Sequence, residues 1–216
     1  MKKLIFLGAS GNASVINSTI EDINQKKIKI KPIGFLDDEK NTFKQLKFFG
    51  KIKKDIVQEL LIDKNIFFIW TLISSKLREK TLEKLKNLKI PNNRFLSIIH
   101  PTANISKFAN IGIGVSIHPF ANIGPNVTVA NHVHIYSYGL IGHDAKIGNY
   151  SYIAAKSTIG AYVTVEEGCF FGINSCVREN LIIKSWATVG MGAVVINDVK
   201  KKQTVVGNPA KNITKN

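Results

Sequence analysis

The stretch IGHDAKIGNYSYIAAKSTIG, residues 141–160, has isoleucine at every sixth position, at Ile141, Ile147, Ile153 and Ile159. A strand alternates every two residues and a helix repeats every 3.6, so neither element produces this period. The period extends in both directions, from Ile99 to Val195, and all seventeen positions are apolar. A six-residue repeat of this kind is typical of a parallel β-helix.

A second series supports this interpretation. Four residues after each large aliphatic position stands a residue that is mostly small or β-branched: Ala103, Ala109, Val115, Ala121, Val127, Val133, Gly139, Ala145, Ser151, Ser157, Val163, Cys169, Ser175, Leu181, Ala187 and Ala193. Each hexad is expected to make a short strand and a bend, and three hexads close one coil, with glycine permitting the bends. Both series point inward, whereas His143, the third residue of its hexad, is predicted to face outward.

Residues 1–97 follow a different pattern, in which strands alternate with helices. We predict strands at 3–8, 28–38, 66–73 and 94–99, and helices at 12–24, 53–63 and 74–88, the last capped by Ser74 or Ser75. This alternation indicates a small parallel α/β sheet. The predicted domains are therefore an α/β domain at 1–97, a β-helix at 98–199 and a tail at 200–216.

The composition narrows the class of protein. The net charge is +15, but the lysines are spread over residues 26–89 and the tail without interleaved aromatics, so we favour a solvated basic surface over nucleic-acid binding. No apolar run approaches the roughly 18 residues of a membrane helix, and MKKLIFLG is too short for a signal peptide. The two cysteines fit a reducing compartment. We therefore predict a cytoplasmic protein that binds neither membrane nor nucleic acid.

The whole chain resembles the sialic-acid O-acetyltransferase and bacillosamine N-acetyltransferase family of bacterial hexapeptide-repeat sugar acetyltransferases. The matching segments are LGASGNA (7–13), FLDD (35–38), HPTA (100–103), IGHDAKIG (141–148), FFGINSCV (170–177) and VVGNPAK (205–211). The resemblance implies a left-handed β-helix, a homotrimer, and acetyl-coenzyme A bound in the groove between neighbouring β-helices. It also implies a nucleotide-linked amino sugar as acceptor, held partly by the α/β domain, and no metal.

The resemblance assigns the catalytic residues. His143 falls on the position of the family's catalytic histidine, and a neutral imidazole suits a general base at neutral pH. Asp144 matches the family's adjacent acidic residue and is expected to orient the imidazole, as a triad carboxylate does. The alternative for Asp144 is a solvated aspartate in a turn. Cys169 and Cys176 have neither the number nor the spacing of a zinc site.

The acceptor site is expected at the first strand–helix turn, GASGNA (8–13), because backbone N–H groups at a helix N-terminus favour phosphate. Its spacing, Gly-x-x-Gly-x-Ala, is a weak dinucleotide fingerprint. We assign the diphosphate or sugar end of a nucleotide sugar to Gly8, Ser10, Gly11 and Asn12. Asp37 and Asp38 end the second strand, where they either accept base or ribose hydrogen bonds or form a surface turn. Two departures from the family's pattern are Asn12, where many relatives have histidine, and TLISS (71–75), which lacks the family's glycine.

For acetyl-coenzyme A, the resemblance points to Ile173, which matches a residue along the pantetheine arm, and to Ala161 and Met191, at positions that are glycine in some relatives. Tyr152 is assigned to the same groove, where it either shapes the acyl or acceptor pocket or packs at the trimer contact. It implies an acetyl-coenzyme-A-dependent N-acetyltransferase acting on a nucleotide-linked 4-amino-4,6-dideoxy sugar for surface glycan, with direct transfer in a ternary complex. Three alternatives remain at this stage: a sugar O-acetyltransferase of the sialic-acid type, a non-catalytic β-helix protein that binds a nucleotide sugar, and a nicotinamide oxidoreductase.

Overall fold

The computed structural model describes residues 1–25, 29–72 and 78–214. The chain divides into two compact units, Met1–His100 and Pro101–Asn216. Each unit has its own apolar core.

The first unit is an α/β sheet. Its elements are β1 (Lys2–Leu7), α1 (Gly11–Gln25), β2 (Ile30–Leu36), β3 (Lys47–Phe48), α2 (Lys54–Leu60), β4 (Ile66–Trp70), α3 (Arg78–Asn87), a 3₁₀ turn (Asn92–Arg94) and β5 (Ile98–Ile99). The sheet order is β3-β2-β1-β4, and every pair is parallel. The predicted small parallel sheet is therefore confirmed.

The burial of β1 and α1 explains this order. Leu4, Ile5 and Phe6 of β1 are fully buried, as expected for a central parallel strand covered on both faces. Helix α1 buries Ile16 and Ile20, which lie one turn apart on the face that packs on the sheet.

Two details of this unit differ from the sequence prediction. The short strand β3 was not predicted, because its two residues, Lys47 and Phe48, are exposed and carry no periodic pattern. The predicted strand 94–99 contains only β5, because Arg94 belongs to a 3₁₀ turn. Its guanidinium donates to the carbonyl oxygens of Ile66 at 2.8 Å and Asp63 at 2.6 Å, which holds the turn beside β4. The predicted cap residues of the third helix lie outside the described residues.

The second unit is a parallel β-helix of two-residue strands spaced six residues apart. Strands β6 to β21 are Asn104–Ile105, Asn110–Ile111, Ser116–Ile117, Asn122–Ile123, Thr128–Val129, His134–Ile135, Leu140–Ile141, Lys146–Ile147, Tyr152–Ile153, Thr158–Ile159, Thr164–Val165, Phe170–Phe171, Cys176–Val177, Ile182–Ile183, Thr188–Val189 and Val194–Val195. Each strand pairs in parallel with strands 18 residues away, as Thr128 does with Asn110 and Lys146. One coil is therefore three hexads.

The coils form three faces. The first face holds β8, β11, β14, β17 and β20, the second holds β6, β9, β12, β15, β18 and β21, and the third holds β7, β10, β13, β16 and β19. The tail adds β22 (Thr204–Val206) in parallel to β20, and β23 (Lys211–Asn212) pairs antiparallel to β22.

The two inward series form the core of the β-helix. From Val115 to Val195 their members are buried, as predicted. Before Val115 the inward residues are less buried: Ala103, Ile105, Ala109 and Ile111 are partly buried against this core, and Ile99 is 37% exposed. Its neighbour Ile98 is buried in the core of the first unit instead. The pattern of six thus starts in the sequence before the β-helix core begins.

The left-handed residues of the bends do not coincide with the glycines that follow the aliphatic residues. Glycine was predicted to permit the bends, but glycines that directly follow the aliphatic residue, such as Gly124 and Gly142, do not have positive φ. The left-handed residue stands two positions later, with φ between 57° and 70°, and is usually not glycine. These residues are Phe120, Asn126, His132, Tyr138, Asp144, Tyr150, Lys156, Tyr162, Asn174, Asn180 and Trp186, with Gly114, Gly168 and Gly192. We call the bend between the first and second faces the first corner, and that between the second and third faces the second corner.

Across the described residues, no helix is both long and apolar enough to span a membrane. Within the same residues, no three His, Cys, Asp or Glu side chains are grouped so that they could hold a metal ion.

Candidate active site

His143 lies at the second corner of the β-helix and faces outward, as its place in the hexad predicts. Half of its side chain is exposed. The imidazole Nδ1 is 2.8 Å from Oδ2 of Asp144. Asp144 has a φ of 60°, a left-handed conformation that aspartate tolerates better than most residues. Two adjacent residues can therefore form this contact because the corner turns the chain between them.

The ionisation of Asp144 fixes the direction of this hydrogen bond. The hydrogen bond from His143, and then one from Asn126, hold the pKa of the Asp144 carboxyl below its usual range. An ionised carboxylate only accepts hydrogen bonds, so Nδ1 of His143 must carry the proton and donate it. In the neutral ring, Nε2 then has the free lone pair. Such a ring can accept a proton from a bound nucleophile.

Neighbouring coils hold His143 in place. The Asp144 N–H donates to the carbonyl oxygen of Pro125 one coil before, at 3.0 Å, and the Tyr162 N–H one coil later donates to the His143 carbonyl oxygen, at 3.1 Å. The Tyr162 ring meets the imidazole edge-on, with the centroids 5.1 Å apart and the planes at 86°. Asn126 Nδ2 donates to Asp144 Oδ1 at 3.1 Å. The imidazole therefore sits in a framework that spans three coils.

The four residues that we assigned to acetyl-coenzyme A lie at three different places on the β-helix. Ala161 lies beside His143 and Asp144, because a Cβ added at Gly142, next to His143, would come within 2.6 Å of the Ala161 nitrogen. Ile173 and Met191 lie at the first corner, across the second face from His143, and are 50% and 74% exposed. Tyr152 lies on the first face.

Tyr152 belongs to an aromatic ladder on that face. Its ring stacks on Phe170, with centroids 4.9 Å apart and planes at 5°. On the other side it contacts Tyr136, with centroids 4.9 Å apart, and the two hydroxyls share a hydrogen bond. Burial raises the pKa of both tyrosines, so these hydroxyls stay protonated.

The predicted acceptor turn lies at the centre of the α/β sheet. It follows β1, whose neighbours β2 and β4 lie on opposite sides, so the turn is at the topological switch point where ligands of open α/β sheets bind. Gly8 has a φ of 111°, and a Cβ there would come within 2.6 Å of Leu72. Only glycine fits. Helix α1 begins at the exposed Gly11, where a Cβ would meet open space.

Two side chains of this turn bind the protein itself. Ser10 Oγ and Asn12 Nδ2 both donate to the carbonyl oxygen of Thr71, at 3.0 and 3.3 Å. Thr71 was predicted only as part of the TLISS segment, with no role of its own. It is fully buried, and its hydroxyl contacts the carbonyl oxygens of Leu7 and Gly8. It thus ties the end of β4 to the turn after β1.

The Asp37 carboxylate also forms hydrogen bonds with backbone groups of the protein. It is buried, its Oδ2 accepts the Ala9 N–H at 2.6 Å, and its Oδ1 accepts the N–H groups of Glu39 and Lys40 at 2.9 Å. Burial raises the pKa of this carboxyl, but the three backbone hydrogen bonds outweigh that effect and the net pKa is lowered. Asp37 therefore joins the ends of β1 and β2, a role that differs from the predicted contact with a base or ribose.

Asp38 is more exposed than Asp37. Its Oδ1 accepts the Ile52 N–H at 3.1 Å, and its Oδ2 forms an ion pair with Lys84 of α3. The carboxylate is 41% exposed. Its predicted contact with the acceptor remains a prediction.

Two family models match the chain. The model described as the GMPPB C-terminal domain matches residues 96–205. The model described as the PglD N-terminal domain matches residues 3–85. The boundary between the two matches falls near the boundary between the two structural units.

Solved structures share the fold over nearly the whole chain. The acetyltransferase domain of PglB from Neisseria gonorrhoeae FA1090, in complex with acetyl coenzyme A, is 22% identical, with 98% of this chain and 99% of that chain covered and a TM-score of 0.82. WeeI from Acinetobacter baumannii AYE is 23% identical, with coverage of 99% and 100% and a TM-score of 0.78. PerB from Caulobacter crescentus, in complex with CoA and GDP-perosamine, is 19% identical, with coverage of 99% and 98% and a TM-score of 0.73. The predicted fold, an α/β domain followed by a left-handed parallel β-helix, is therefore confirmed.

Proposed function

Because the chain belongs, through residues 96–205, to the family of the GMPPB C-terminal domain, we propose that it is an enzyme whose catalytic residue lies at a corner of the β-helix and faces outward. The protein is an acetyl-coenzyme-A-dependent N-acetyltransferase. Its acceptor is a nucleotide-linked amino sugar of the 4-amino-4,6-dideoxy class, destined for surface glycan. Two of the similar structures support this choice: the PglB domain is named as an acetyltransferase and holds acetyl coenzyme A, and PerB holds CoA and GDP-perosamine.

One observation carries the proposal. His143 presents an outward Nε2 because its Nδ1 is held, at 2.8 Å, by a carboxylate whose pKa is lowered. Acetyl transfer from a thioester to an amine needs a base of this kind, because the attacking nitrogen must lose a proton. A β-helix that served only as a scaffold would have no need for such a pair on an exposed corner.

The reaction follows from this geometry. The neutral amine of the sugar attacks the thioester carbonyl of acetyl-coenzyme A, the new C–N bond forms and the C–S bond breaks. His143 Nε2 takes the proton that the amine loses, and Asp144 stabilises the resulting imidazolium. The proton then passes to the coenzyme A thiolate. No metal takes part in these steps.

The acceptor's diphosphate is assigned to the turn from Gly8 to Asn12, through the backbone N–H groups at the start of α1. Ser10 and Asn12 act through Thr71, by shaping this turn. Acetyl-coenzyme A is assigned to Ala161, Ile173, Met191 and Tyr152. Because Ile173 and Met191 lie at a different corner from His143, a compact site needs a neighbouring chain, which supports a homotrimer with its groove between β-helices.

The test is a free-thiol release assay with acetyl-coenzyme A and a panel of UDP-, dTDP- and GDP-linked amino sugars. Each amino sugar is paired with its hydroxyl analogue. The informative variants are His143→Ala and His143→Asn. Asparagine can still donate to Asp144 from its amide but has no counterpart of Nε2. Both variants are expected to keep the fold and to lose turnover by about 10²- to 10⁴-fold, as is typical for a general base.

The outcomes separate the alternatives. Thiol release with an amino sugar, lost in both variants, supports N-acetyl transfer and identifies the nucleotide. Release only with hydroxyl analogues would replace it with O-acetyl transfer. Binding of acetyl-coenzyme A without release across the panel would favour a non-catalytic protein.

A further inference from the structure

Asn126 contacts the catalytic pair from the coil below. It stands 18 residues before Asp144, at the same left-handed corner position, with a φ of 60° in both residues. Its Nδ2 lies 3.1 Å from Asp144 Oδ1, while the other carboxylate oxygen, Oδ2, accepts from His143. An ionised carboxylate can only accept, so the Asn126 amide must present its NH₂ group to Asp144.

We propose that Asn126 is a positioning residue for the general base, acting through Asp144. This inference rests on the proposed function, because it deepens the role of the same site. Asn126 fixes one carboxylate oxygen, so that the other stays directed at Nδ1 of His143. In this way it favours the ring form that carries its proton on Nδ1 and its lone pair on Nε2.

The corner geometry makes this side chain necessary. Asp144 follows His143 directly, and its side chain is about one-third exposed, so water competes for both of its oxygens. Two fixed donors, one on each oxygen, leave the carboxylate a single favoured orientation. Without Asn126, Oδ1 would be solvated, and the carboxylate could rotate away from Nδ1 at little cost.

The sequence offers matched variants. Asn126→Gly removes the amide without backbone strain, because glycine already occupies equivalent left-handed corner positions at Gly114, Gly168 and Gly192. Asn126→Asp keeps the shape but replaces the donor with a second negative charge. Asn180, with a φ of 60°, occupies the same corner two coils above Asp144, so Asn180→Gly and Asn180→Asp make the same backbone changes away from the pair.

The first measurement is steady-state kinetics as a function of pH. Asn126→Gly is expected to lower kcat by about three- to tenfold, the range for one exposed hydrogen bond to a charged group, with KM for acetyl-coenzyme A and acceptor unchanged. Asn126→Asp is expected to move the acidic limb of the kcat profile to higher pH, because the added charge stabilises imidazolium. The Asn180 variants should match the unmodified protein in both respects.

The second measurement needs no turnover. In protein labelled with ¹⁵N-histidine, the nitrogen shifts of His143, assigned by comparison with His143→Asn, report which ring nitrogen is protonated. The Nδ1-protonated form should dominate in the unmodified protein and lose that dominance in Asn126→Gly but not in Asn180→Gly. Unchanged nitrogen shifts in Asn126→Gly would overturn the proposal, as would an equal fall in kcat for Asn126→Gly and Asn180→Gly. If the unmodified protein shows no turnover, the proposed function fails, while the shifts still decide the role of Asn126.

Discussion

Gly124 lies directly beneath His143, one coil below: a Cβ added at Gly124 would come within 2.9 Å of the His143 backbone nitrogen. Real Cβ atoms do not approach backbone atoms that closely, so a side chain at residue 124 must displace the backbone that carries His143, the proposed general base. The absence of a side chain here therefore helps to set the position of the imidazole.

Gly124→Ala is expected to shift His143 and to lower kcat by roughly tenfold or more, because small displacements of a catalytic group are costly. Gly148→Ala is the matched control. A Cβ there would come within 2.5 Å of the Glu166 backbone on another side of the β-helix, so its effect on stability should be at least as large. Melting temperature and kcat measured for both variants give the answer. Equal kcat values would remove Gly124 from the positioning of His143.

Asp144→Asn tests whether the negative charge of Asp144 holds the proton of His143 on Nδ1. Asparagine tolerates the left-handed conformation, as Asn126 and Asn180 show, so the fold should survive. The amide is neutral, and it can turn its NH₂ toward Nδ1, which then becomes an acceptor and moves the proton to Nε2. We expect kcat to fall by at least about 10-fold and by up to about 10⁴-fold, the loss that the same change causes in a Ser-His-Asp triad, where it also gives the wrong tautomer.

The pH dependence of this effect can also be checked. Because the pKa of Asp144 is lowered, its carboxylate stays ionised at pH values below the pKa of an ordinary aspartate. The activity difference between the unmodified protein and Asp144→Asn should therefore persist from neutral pH to pH 5. A difference that vanished across this range would show that the Asp144 charge does not support catalysis.

The period of six that every coil repeats allowed the β-helix and the outward direction of His143 to be predicted, whereas the catalytic role of His143 was predicted only from the resemblance to a family. The framework around His143 could not be predicted in the same way. Asn126 and Tyr162 lie 18 residues before and after Asp144. Asn126 contacts Asp144 and Tyr162 contacts His143 only because three hexads close a coil. A search at steps of 18 from Asp144 would have found both.

The acceptor turn was harder to predict for a different reason. A sequence shows which polar side chains lie near the end of a strand, but it does not show whether they form hydrogen bonds with backbone groups of the protein itself. Ser10, Asn12 and Asp37 were all assigned to the acceptor, and all three bind backbone groups of the protein. The decisive partner, Thr71, follows a different strand and has no local motif.

Asp37→Asn tests the structural role of that carboxylate. An asparagine can present only one oxygen, so its NH₂ must face either the Ala9 N–H or the N–H groups of Glu39 and Lys40. The NH₂ group of the asparagine then faces a backbone N–H group in a buried position, and neither donor has an acceptor there. We expect a loss of about 1–3 kcal/mol in the free energy of unfolding, measured with urea. Asp38→Asn, at an exposed position, is the control and should change stability by far less.

Stability below neutral pH should be governed by buried histidines on the β-helix. Burial lowers the pKa of His132 to about 4 and that of His134 to about 3, so both rings are neutral in the folded protein at pH 5. The unfolded chain binds protons at these positions near the ordinary value of 6.5. Between pH 6.5 and 5 the unfolded state therefore holds more protons, and the free energy of unfolding falls as pH falls.

His134→Phe removes one of these protonation sites. Phenylalanine suits a column that continues with Tyr152 and Phe170, and the melting temperature should then fall less steeply between pH 7 and 5. Ser116→Ala is the control, because it removes the 2.7 Å contact between Ser116 Oγ and His134 Nδ1 but keeps the titrating ring. It should lower the melting temperature at every pH without flattening the slope. The range stops at pH 5 because carboxylates begin to titrate below it. If His134→Phe leaves the slope unchanged, then the loss of stability in acid does not arise from this ring.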